Sequence, residues 1–527
     1  MANLLSLNID GDLIKDKGTG PTNVETLTTT LNSPFVYIYN FTSNTTSHMS
    51  CTYTKDDQSV VIYEDETDSD KGYYVVATVV DANTITFTTP SYVSGTDTLK
   101  GTSCAYDTVN DKVLTAWAQP GGNHYGSMAV GTISGTGTSA TTSWGSDVQT
   151  NSGGGNIPDG GHLSRGMVWV GGIGGDTTNR LVLAMRNDES STYGRAAVVT
   201  ISGTTPTAGA WANFTTAGQD AKDVTMAYVG SGQVVVAYGR IGTSSGLCRV
   251  GTITGGSTNS IVWSTFEYIY ATTHTDPGST RSANSIAYDQ NAGKFIIAYI
   301  DGNVNVRGRA KVGTVSGTGT SATIEFGTEQ EFTTGSDAVD AISVVYNTEA
   351  QKSLIAYNPS GSGNPAAVVA TITGTNVAFT SQVYLATANP NNTASLYDPV
   401  NKKNVVFWSH GANTGTGIVV DLLESALTID LSTGNYFELD LETATSDIIS
   451  FTITEALSGQ QVQTFVLKIT QGTAARDFRW GSLSNFKFPG GTHPILTTTN
   501  NAVDIYSFTT YDAGTTWHGE VVGQNFT

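Results

Sequence analysis

An acidic run formed by Glu64, Asp65, Glu66, Asp68 and Asp70 is the first group of residues in this chain whose types and spacing could do chemistry. Carboxylate oxygens are the ligands that calcium prefers, so one ion could be held here. Runs of like charge are more often solvated loops, and we favour that interpretation. The sequence predicts no metal site and leaves calcium in this loop as an open alternative.

A second group contains aromatic, amide and charged side chains that could stack on a sugar or contact a protein partner. Its members are Asn123, His124, Tyr125, Asp188, Tyr193 and His410. No nucleophile–base couple or paired titratable groups accompany them at a spacing that catalysis requires. The sequence therefore predicts a binding surface for a ligand or partner, with no catalytic residue and no cofactor.

A third group is the segment TYDAGTTW, Thr510 to Trp517. It resembles the Asp box, S/T-x-D-x-G-x-S/T-W, a β-hairpin of sialidases and other propeller glycosidases. The resemblance implies that Asp512 binds turn amides, that Gly514 relieves the turn and that Trp517 packs on the hairpin. This role is structural. Sialidases repeat the box through several blades and add an arginine triad, whereas the box occurs once here, so a glycan-cleaving enzyme is kept only as an alternative.

Internal repeats predict the elements that position these groups. Aromatic residues recur 51–63 residues apart at the ends of short apolar runs: Tyr53, Tyr106, Trp169, Tyr228, Tyr288, Tyr346 and Tyr397. A second apolar run follows each of them and ends near Tyr63, Trp117, Met185, Tyr238, Tyr299, Tyr357 or Trp408. Third runs such as AKVGTVSG (310–317) complete a meander. Seven repeats that each form about four strands predict a seven-bladed β-propeller.

Strand counting predicts how the ring closes. The seventh repeat lacks a fourth strand, and an unassigned strand, PFVYIYNF (34–41), precedes the first repeat. We expect residues 34–41 to complete the last blade; the alternative is that they belong to a preceding arm. The turns between first and second strands are short, whereas longer loops occupy the opposite edge, here called the loop rim: 64–72, 119–126, 151–166, 186–194 and 409–417. Because binding residues concentrate on loops, we expect the binding face there.

Composition excludes several classes of partner. The net charge is −20 and only 13% of residues are charged, which argues against nucleic acid, since a phosphate backbone requires clustered Lys and Arg. No apolar stretch approaches the roughly 20 residues that span a bilayer, so no membrane partner is expected. Three cysteines give no disulfide framework. Cys51 and Cys104 stand two residues before Tyr53 and Tyr106, where other repeats have apolar residues, and both are predicted to be buried filler.

Three regions are predicted: an N-terminal arm at 1–32, the propeller at 33–424 and a β-sandwich, jelly-roll-like, at 425–527. The all-β fold of the last region is indicated by runs such as QTFVLKITQG and AVDIYSFTT, which alternate as strands do.

The block from VLKITQG to the C-terminal VVGQNF resembles the C-terminal domain of virion structural proteins from marine tailed bacteriophages, as do repeats such as AKVGTVSGTGTSATIEFG. The resemblance implies a non-enzymatic virion protein of the tail, serving in host attachment or as a docking platform. A capsid decoration or head fibre is the alternative within that class. Implied partners are other virion proteins and a host surface glycan or receptor, with a homo-oligomer in the particle.

Overall fold

A computed structural model describes residues 38–527 with internal gaps. The residues outside this description are 1–37, 81–83, 94–97, 119–125, 151–166, 170–179, 188–192, 217–218, 220, 241–244, 255–258, 274–282, 303–305, 334–337, 360–362, 387–389, 411–413, 421, 423–424, 442–447, 455, 457–461, 473–477 and 479–484. The predicted arm at 1–32 lies outside the described residues. Contacts divide the chain after Leu422 into two compact units.

Seven antiparallel sheets form the larger unit and confirm the predicted seven-bladed propeller. The first strands are Thr46–Tyr53, Lys100–Asp107, Met167–Trp169, Ala221–Gly230, Asn284–Asp289, Val339–Asn347 and Pro390–Asp398. The second strands are Gln58–Asp65, Lys112–Ala118, Leu181–Asn187, Gln233–Arg240, Lys294–Asp301, Lys352–Pro359 and Lys403–His410. The third strands are Lys71–Val79, Gly126–Ser134, Tyr193–Ser202, Ser245–Thr254, Arg307–Ser316, Ala366–Thr373 and Thr414–Val420.

Each blade has a short outer edge. The fourth strands of blades 1 to 6 are Ile85–Phe87, Thr141–Trp144, Thr205–Ala208, Ser260–Trp263, Thr323–Phe326 and Asn376–Phe379. A fifth strand pairs with the other end of the third strand in the same six blades: Ser91–Tyr92, Val148–Gln149, Ala212–Asn213, Tyr268–Ala271, Gln330–Glu331 and Val383–Tyr384. Short 3-10 turns occur at Glu66–Asp68, Gly137–Ser139 and Gly319–Ser321.

The second strands are the buried centre of each blade. Every residue of Gln58–Asp65 is buried, and so is every residue of Phe295–Asp301. A strand covered on both faces by neighbouring blades has no solvated side, which explains the uninterrupted apolar runs Val60–Tyr63 and Phe295–Ile300. Tyr299 is 1% exposed and packs edge-on against Tyr270, with ring centroids 5.2 Å apart. Aromatic pairs also join other neighbouring blades, such as Tyr74 with Trp144 between blades 1 and 2 and Phe332 with Tyr357 between blades 5 and 6.

Buried Asx side chains fix several turns between first and second strands. Asp107, Asp289, Asn347 and Asp398 each accept hydrogen bonds from the two backbone N–H groups found two and three residues later. An Asx side chain that binds its own turn favours a tight reversal. These turns define one edge of the ring, here called the turn rim, which lies opposite the loop rim.

The ring closes through its two ends, as predicted. Tyr39–Thr42 pairs antiparallel with Thr414–Val420 and becomes the fourth strand of blade 7. Phe41 is 5% exposed and contacts the rings of Tyr63 and Phe87 in blade 1. Gly415 makes room for it, because a Cβ at Gly415 would stand 2.2 Å from the Phe41 ring. The closing strand is therefore held by side-chain packing as well as by the sheet ladder.

The smaller unit is also all-β. Its five-stranded sheet has the order Tyr436–Asp440, Gln463–Thr470, Val503–Thr510, Trp517–Phe526, Phe486–Lys487, and it curls into a half barrel. Ser425–Asp430 and Ile448–Thr454 form a separate parallel pair, and Pro489–Gly491 is a 3-10 turn. The predicted sandwich thus takes the form of one curled sheet around an aromatic core that includes Phe451, Phe465, Phe508 and Trp517. No helix in the described part of the chain is long and apolar enough to cross a membrane.

Candidate functional site

The seven first strands enclose a cavity of about 480 Å³ at the centre of the propeller. Its wall consists of Ser50, Cys51, Thr52, Tyr53, Thr54, Ser103, Cys104, Ala105, Tyr106, Thr108, Met167, Thr225, Met226, Ile286, Val344, Ser395 and Pro399. Thr54, Thr108 and Pro399 lie just beyond the ends of their first strands, at the turn rim. The cavity therefore opens toward the turn rim, and its volume is in the range of ordinary ligand sites.

Hydroxyl groups and one proline surround the mouth of the cavity. Thr108 and Pro399 are exposed, and Thr52 and Tyr53 are half-buried. Deeper in the cavity, within the first strand of blade 7, the half-buried Ser395 makes a short hydrogen bond with Ser343 of the preceding blade. Such a surface offers hydrogen-bond donors, hydrogen-bond acceptors and an aromatic edge, and it carries no formal charge.

Two tyrosines at the mouth remain protonated at ordinary pH. Burial raises the pKa of Tyr53 to about 12, and the charges of Asp398, Asp57 and Asp56 add to the rise. Burial also raises the pKa of Tyr106, whose hydroxyl donates to Asp111 Oδ1 at 2.7 Å. Lys55 of the neighbouring turn pairs with the other oxygen of Asp111. The phenols are therefore neutral hydrogen-bonding groups set in an acidic surround.

The described wall of the cavity contains no Asp, Glu, His, Lys or Arg. General acid–base hydrolysis of a glycoside uses two carboxyl groups on either side of the scissile bond. A tyrosine nucleophile requires activation by a base or a lowered pKa, whereas the pKa values of Tyr53 and Tyr106 are raised. The described wall therefore contains neither a pair of carboxyl groups nor a phenol with a lowered pKa.

The residues predicted for the loop rim are only partly described. Asn123, His124, Tyr125 and Asp188 lie outside the described residues. Tyr193 is half-buried and begins the third strand of blade 3, opposite Asn187. His410 ends the second strand of blade 7, where its backbone pairs with Thr414 and Pro390. The proposed grouping of these six residues stays a prediction.

The acidic run divides among separate protein partners. Glu64 is fully buried and binds His48, Ser47 and Lys100, the last from blade 2. Asp65 accepts from the backbone of Thr67 and Asp68 and from the Asn44 amide. Asp68 accepts from Lys71 and from two tyrosine hydroxyls, and Asp70 pairs with Lys100. Among the described residues, no group of three or more His, Cys, Asp or Glu could hold a metal ion.

The Asp-box segment forms the hairpin between the last two long strands of the smaller unit. Asp512 Oδ1 accepts hydrogen bonds from the Thr516 backbone N–H at 2.8 Å and from the Thr510 hydroxyl at 2.9 Å. The hydrogen bond from the Thr516 N–H lowers the pKa of the Asp512 carboxyl group. Gly514 has φ +82°, a left-handed conformation that glycine adopts without strain. Trp517 is 1% exposed and packs edge-on against Phe465. All three residues stabilise the hairpin.

The first-strand residues that form the cavity were overlooked in the sequence as binding groups. Cys51, Cys104 and the apolar residues at the same place in other repeats were interpreted only as buried filler before the aromatic anchors. Their equivalent positions in all seven repeats could have indicated a shared cavity, because a propeller brings equivalent positions of its blades together around the central axis.

Comparisons with known proteins concern the fold. No family model and no curated protein matches the chain. Among solved structures, the lectin BP39L from Burkholderia pseudomallei is similar with a TM-score of 0.48 and 11% identity, over 72% of this chain and 97% of the lectin. A Trypanosoma rangeli sialidase in complex with the inhibitor DANA has a TM-score of 0.38 and 10% identity, over 72% of this chain and 55% of the sialidase. The Hadza microbial sialidase Hz136 has a TM-score of 0.40 and 9% identity, over 73% of this chain and 68% of that chain.

This chain thus matches only about half the length of the Trypanosoma rangeli sialidase. At these identities the likeness concerns the fold alone. The prediction of a non-enzymatic bacteriophage virion structural protein is wrong by this comparison, because the similar structures are sialidases and a lectin and no comparison links the chain to phage proteins. They include both enzymes and a non-enzyme, so enzyme status is not decided by them. Residence in a virion and assembly into a homo-oligomer stay predictions.

Proposed function

We propose that the propeller binds a neutral carbohydrate at the mouth of its central cavity and does not cleave it. The observation that carries this proposal is the composition of the described wall, which combines hydroxyl groups, two neutral phenols and no ionised side chain. A sugar hydroxyl both donates and accepts hydrogen bonds, as do the hydroxyls of Thr52 and Thr108. The ring faces of a sugar are weakly apolar and can lie against Tyr53 or Pro399.

The electrostatic surround favours a neutral sugar over an anionic one. Asp56, Asp57 and Asp398 lie near enough to Tyr53 to raise its pKa, so they also create a negative potential at the mouth. Two cations of these turns are already paired, Lys55 with Asp111 and Lys402 with Glu349. A carboxylated sugar would meet like charges without an arginine to bind it, which disfavours its binding.

Absence of turnover follows from the chemistry of the wall. Oxocarbenium-like transition states need a nearby carboxylate to stabilise positive charge and a carboxylic acid to protonate the leaving group. The described wall supplies neither group. Binding would therefore stop at the complex, as expected of a recognition site.

A neutral-glycan array probed with the full-length protein tests this proposal. The variant Tyr53→Phe/Thr108→Val removes two hydroxyls at the mouth, and we expect at least a tenfold loss of affinity, equivalent to about 1.4 kcal/mol. Its melting temperature should stay within a few degrees, because Thr108 is exposed and Tyr53 keeps its ring. The matched comparison is His124→Ala/Tyr125→Ala on the loop rim, which should bind as the wild type does.

Three results would overturn the proposal. Loss of binding in the loop-rim variant alone would move the site to the opposite face. Binding restricted to sialylated or uronic glycans would contradict the neutral ligand. Steady release of reducing sugar by the wild-type protein would show that it is an enzyme.

A further inference from the structure

The two sides of the central cavity differ in the side chains that they present. Blades 7, 1 and 2 supply the residues of the mouth and all but one of the hydroxyl groups of the described wall. Blades 3 to 6 contribute to this wall only through residues two or three positions before their aromatic anchors: Met167, Thr225, Met226, Ile286 and Val344. A strand advances about 3.3 Å per residue, so this side of the wall lies about 7–10 Å further from the mouth than the anchors.

The side formed by blades 3 to 6 presents hydrocarbon and thioether groups to the cavity. Its large side chains, here called the apolar wall, occupy one equivalent position in four consecutive blades: Met167, Met226, Ile286 and Val344. The remaining residue, Thr225, is 1% exposed, and its hydroxyl is enclosed. The backbone N–H of Val344 donates to the Ser285 hydroxyl of the preceding blade at 3.0 Å, so this donor is occupied. A ligand at this depth therefore meets no hydroxyl, amide or charged side chain from the described part of these blades.

Packing between blades holds the apolar wall in place. Met226, Ile286 and Val344 belong to the apolar clusters between blades 3 and 4, blades 4 and 5, and blades 5 and 6, respectively. Each of the three is only 5% or 6% exposed, so one edge of each side chain faces the cavity. A wall that is fixed from behind receives a ligand without first being ordered, which lowers the cost of binding.

The chemistry of the two sides defines the kind of ligand that fits the whole cavity. Thr52 and Ser395 are half-buried and Thr108 is exposed, so hydroxyl groups are accessible on the side of blades 7, 1 and 2. A sugar hydroxyl pressed against the apolar wall would lose its water without gaining a side-chain partner, which is unfavourable. A ligand that suits both sides therefore has hydroxyl groups at one end and hydrocarbon at the other.

We propose that the ligand of this cavity is a glycoside with an apolar aglycone. The neutral sugar lies at the mouth, against blades 7, 1 and 2, and the aglycone packs on the apolar wall further in. This inference rests on the carbohydrate site proposed above and adds the class of glycan that the site selects. Each methylene of the aglycone that is fully buried should raise the affinity about fourfold, the equivalent of about 0.8 kcal/mol.

A series of n-alkyl glycosides tests the aglycone on the wild-type, full-length protein. The probes are the methyl, ethyl, propyl and butyl glycosides of the sugar that binds best on the neutral-glycan array, titrated by calorimetry. Affinity should rise at least tenfold from methyl to butyl, since three fully buried methylenes would give about fiftyfold. The heat-capacity change of binding should become more negative along the series, because apolar surface is buried. The matched ligand is the 3-hydroxypropyl glycoside, in which a hydroxyl replaces the last methyl of the butyl chain; it should bind at least tenfold more weakly than the butyl glycoside.

A matched pair of variants locates the aglycone within the cavity. Val344→Thr adds a hydroxyl to the apolar wall at nearly unchanged size, and it should weaken binding of the butyl glycoside at least threefold and of the methyl glycoside less than twofold. Val345→Thr makes the same change at the next residue, which packs between blades 6 and 7 and is not part of the cavity wall, so it should leave both affinities unchanged. The ligand series on the wild type stands whether or not these variants fold.

The possible failures of this inference and of the carbohydrate site can be told apart. An affinity that changes less than twofold from the methyl to the butyl glycoside would overturn the inference and leave the carbohydrate site standing. Equal binding of the butyl and 3-hydroxypropyl glycosides would do the same, as would equal losses in Val344→Thr and Val345→Thr. Failure of every neutral glycan to bind would overturn the carbohydrate site itself. Binding of 1-butanol as tight as that of the butyl glycoside would overturn both, because the sugar would contribute nothing.

Discussion

Replacing Phe41 with alanine should loosen the strand that closes the propeller. Phe41 is 5% exposed, and its ring lies 5.2 Å from that of Tyr63 and 5.4 Å from that of Phe87. Truncation of a buried phenylalanine typically costs about 3–5 kcal/mol, and the loss of two aromatic pairs places this site in the upper part of that range. Because the ring contributes to one strand at the end of the array, the cost should fall mainly on local opening of Tyr39–Thr42.

Hydrogen exchange measured by mass spectrometry reports that opening. A loss of 3–5 kcal/mol corresponds to faster exchange by about two to three and a half powers of ten. The acceleration should appear in Tyr39–Thr42 and in its partner Thr414–Val420, with second strands such as Gln58–Asp65 much less affected. The control is Ile38→Ala, since Ile38 is 44% exposed and its loss should cost less than about 0.5 kcal/mol. Acceleration of less than tenfold at both closing strands would refute the idea that Phe41 packing holds the ring shut.

Two further predictions concern the blade cores. Tyr299→Ala should lower the free energy of unfolding in urea by about 3–5 kcal/mol, because the residue is 1% exposed. Tyr299→Phe should lower it by about 0.5–1.5 kcal/mol, because only the hydrogen bond to Glu329 is removed. Equal losses for the two variants would contradict the idea that ring packing stabilises the blade. Burial alone would raise the pKa of Glu64, but hydrogen bonds from His48, Lys100 and Ser47 lower this pKa below its ordinary value. The ionised Glu64 therefore contributes its full stabilisation above the pKa of an unfolded Glu, about 4.3, and this stabilisation is lost as the pH falls below that value. The melting temperature of the wild type should therefore drop between pH 5 and pH 3 more steeply than that of Glu64→Gln, and parallel curves would show that Glu64 is not the group responsible.

The propeller could be predicted from the sequence because every blade needs the same pattern of apolar strands, and that pattern repeats along the chain. A second strand buried on both faces needs an uninterrupted apolar run, and Phe295–Ile300 shows it without ambiguity. The missing fourth strand of the seventh repeat pointed to residues 34–41, which overlap the observed closing strand Tyr39–Thr42. In the smaller unit, strand existence was visible in the alternating pattern, but the parallel pairing of Tyr436–Asp440 with Gln463–Thr470 was not, since periodicity does not identify a strand's neighbour.

The candidate site was harder to predict because it depends on contacts between distant repeats. Glu64 reads as one member of a solvated acidic run, yet it is buried because His48 and Lys100, 16 and 36 residues away, supply its partners. The cavity opens at the turn rim, whereas loop length had pointed to the loop rim. The short turns of the turn rim leave the mouth of the cavity uncovered. The cavity opening that the structure describes therefore lies at the turn rim, although the sequences of its turns vary less than those of the loop rim.

Closure by the Tyr39–Thr42 strand has a consequence for the order of synthesis. Tyr39 pairs with Gly417, which the ribosome adds about 380 residues later. At translation rates of about 5–20 residues per second, the closing strand waits roughly 20–80 s for its partner. The nascent propeller therefore spends most of its synthesis as an open arc with an unpaired edge at each end. The earliest-made strand of the ring completes the blade that is made last.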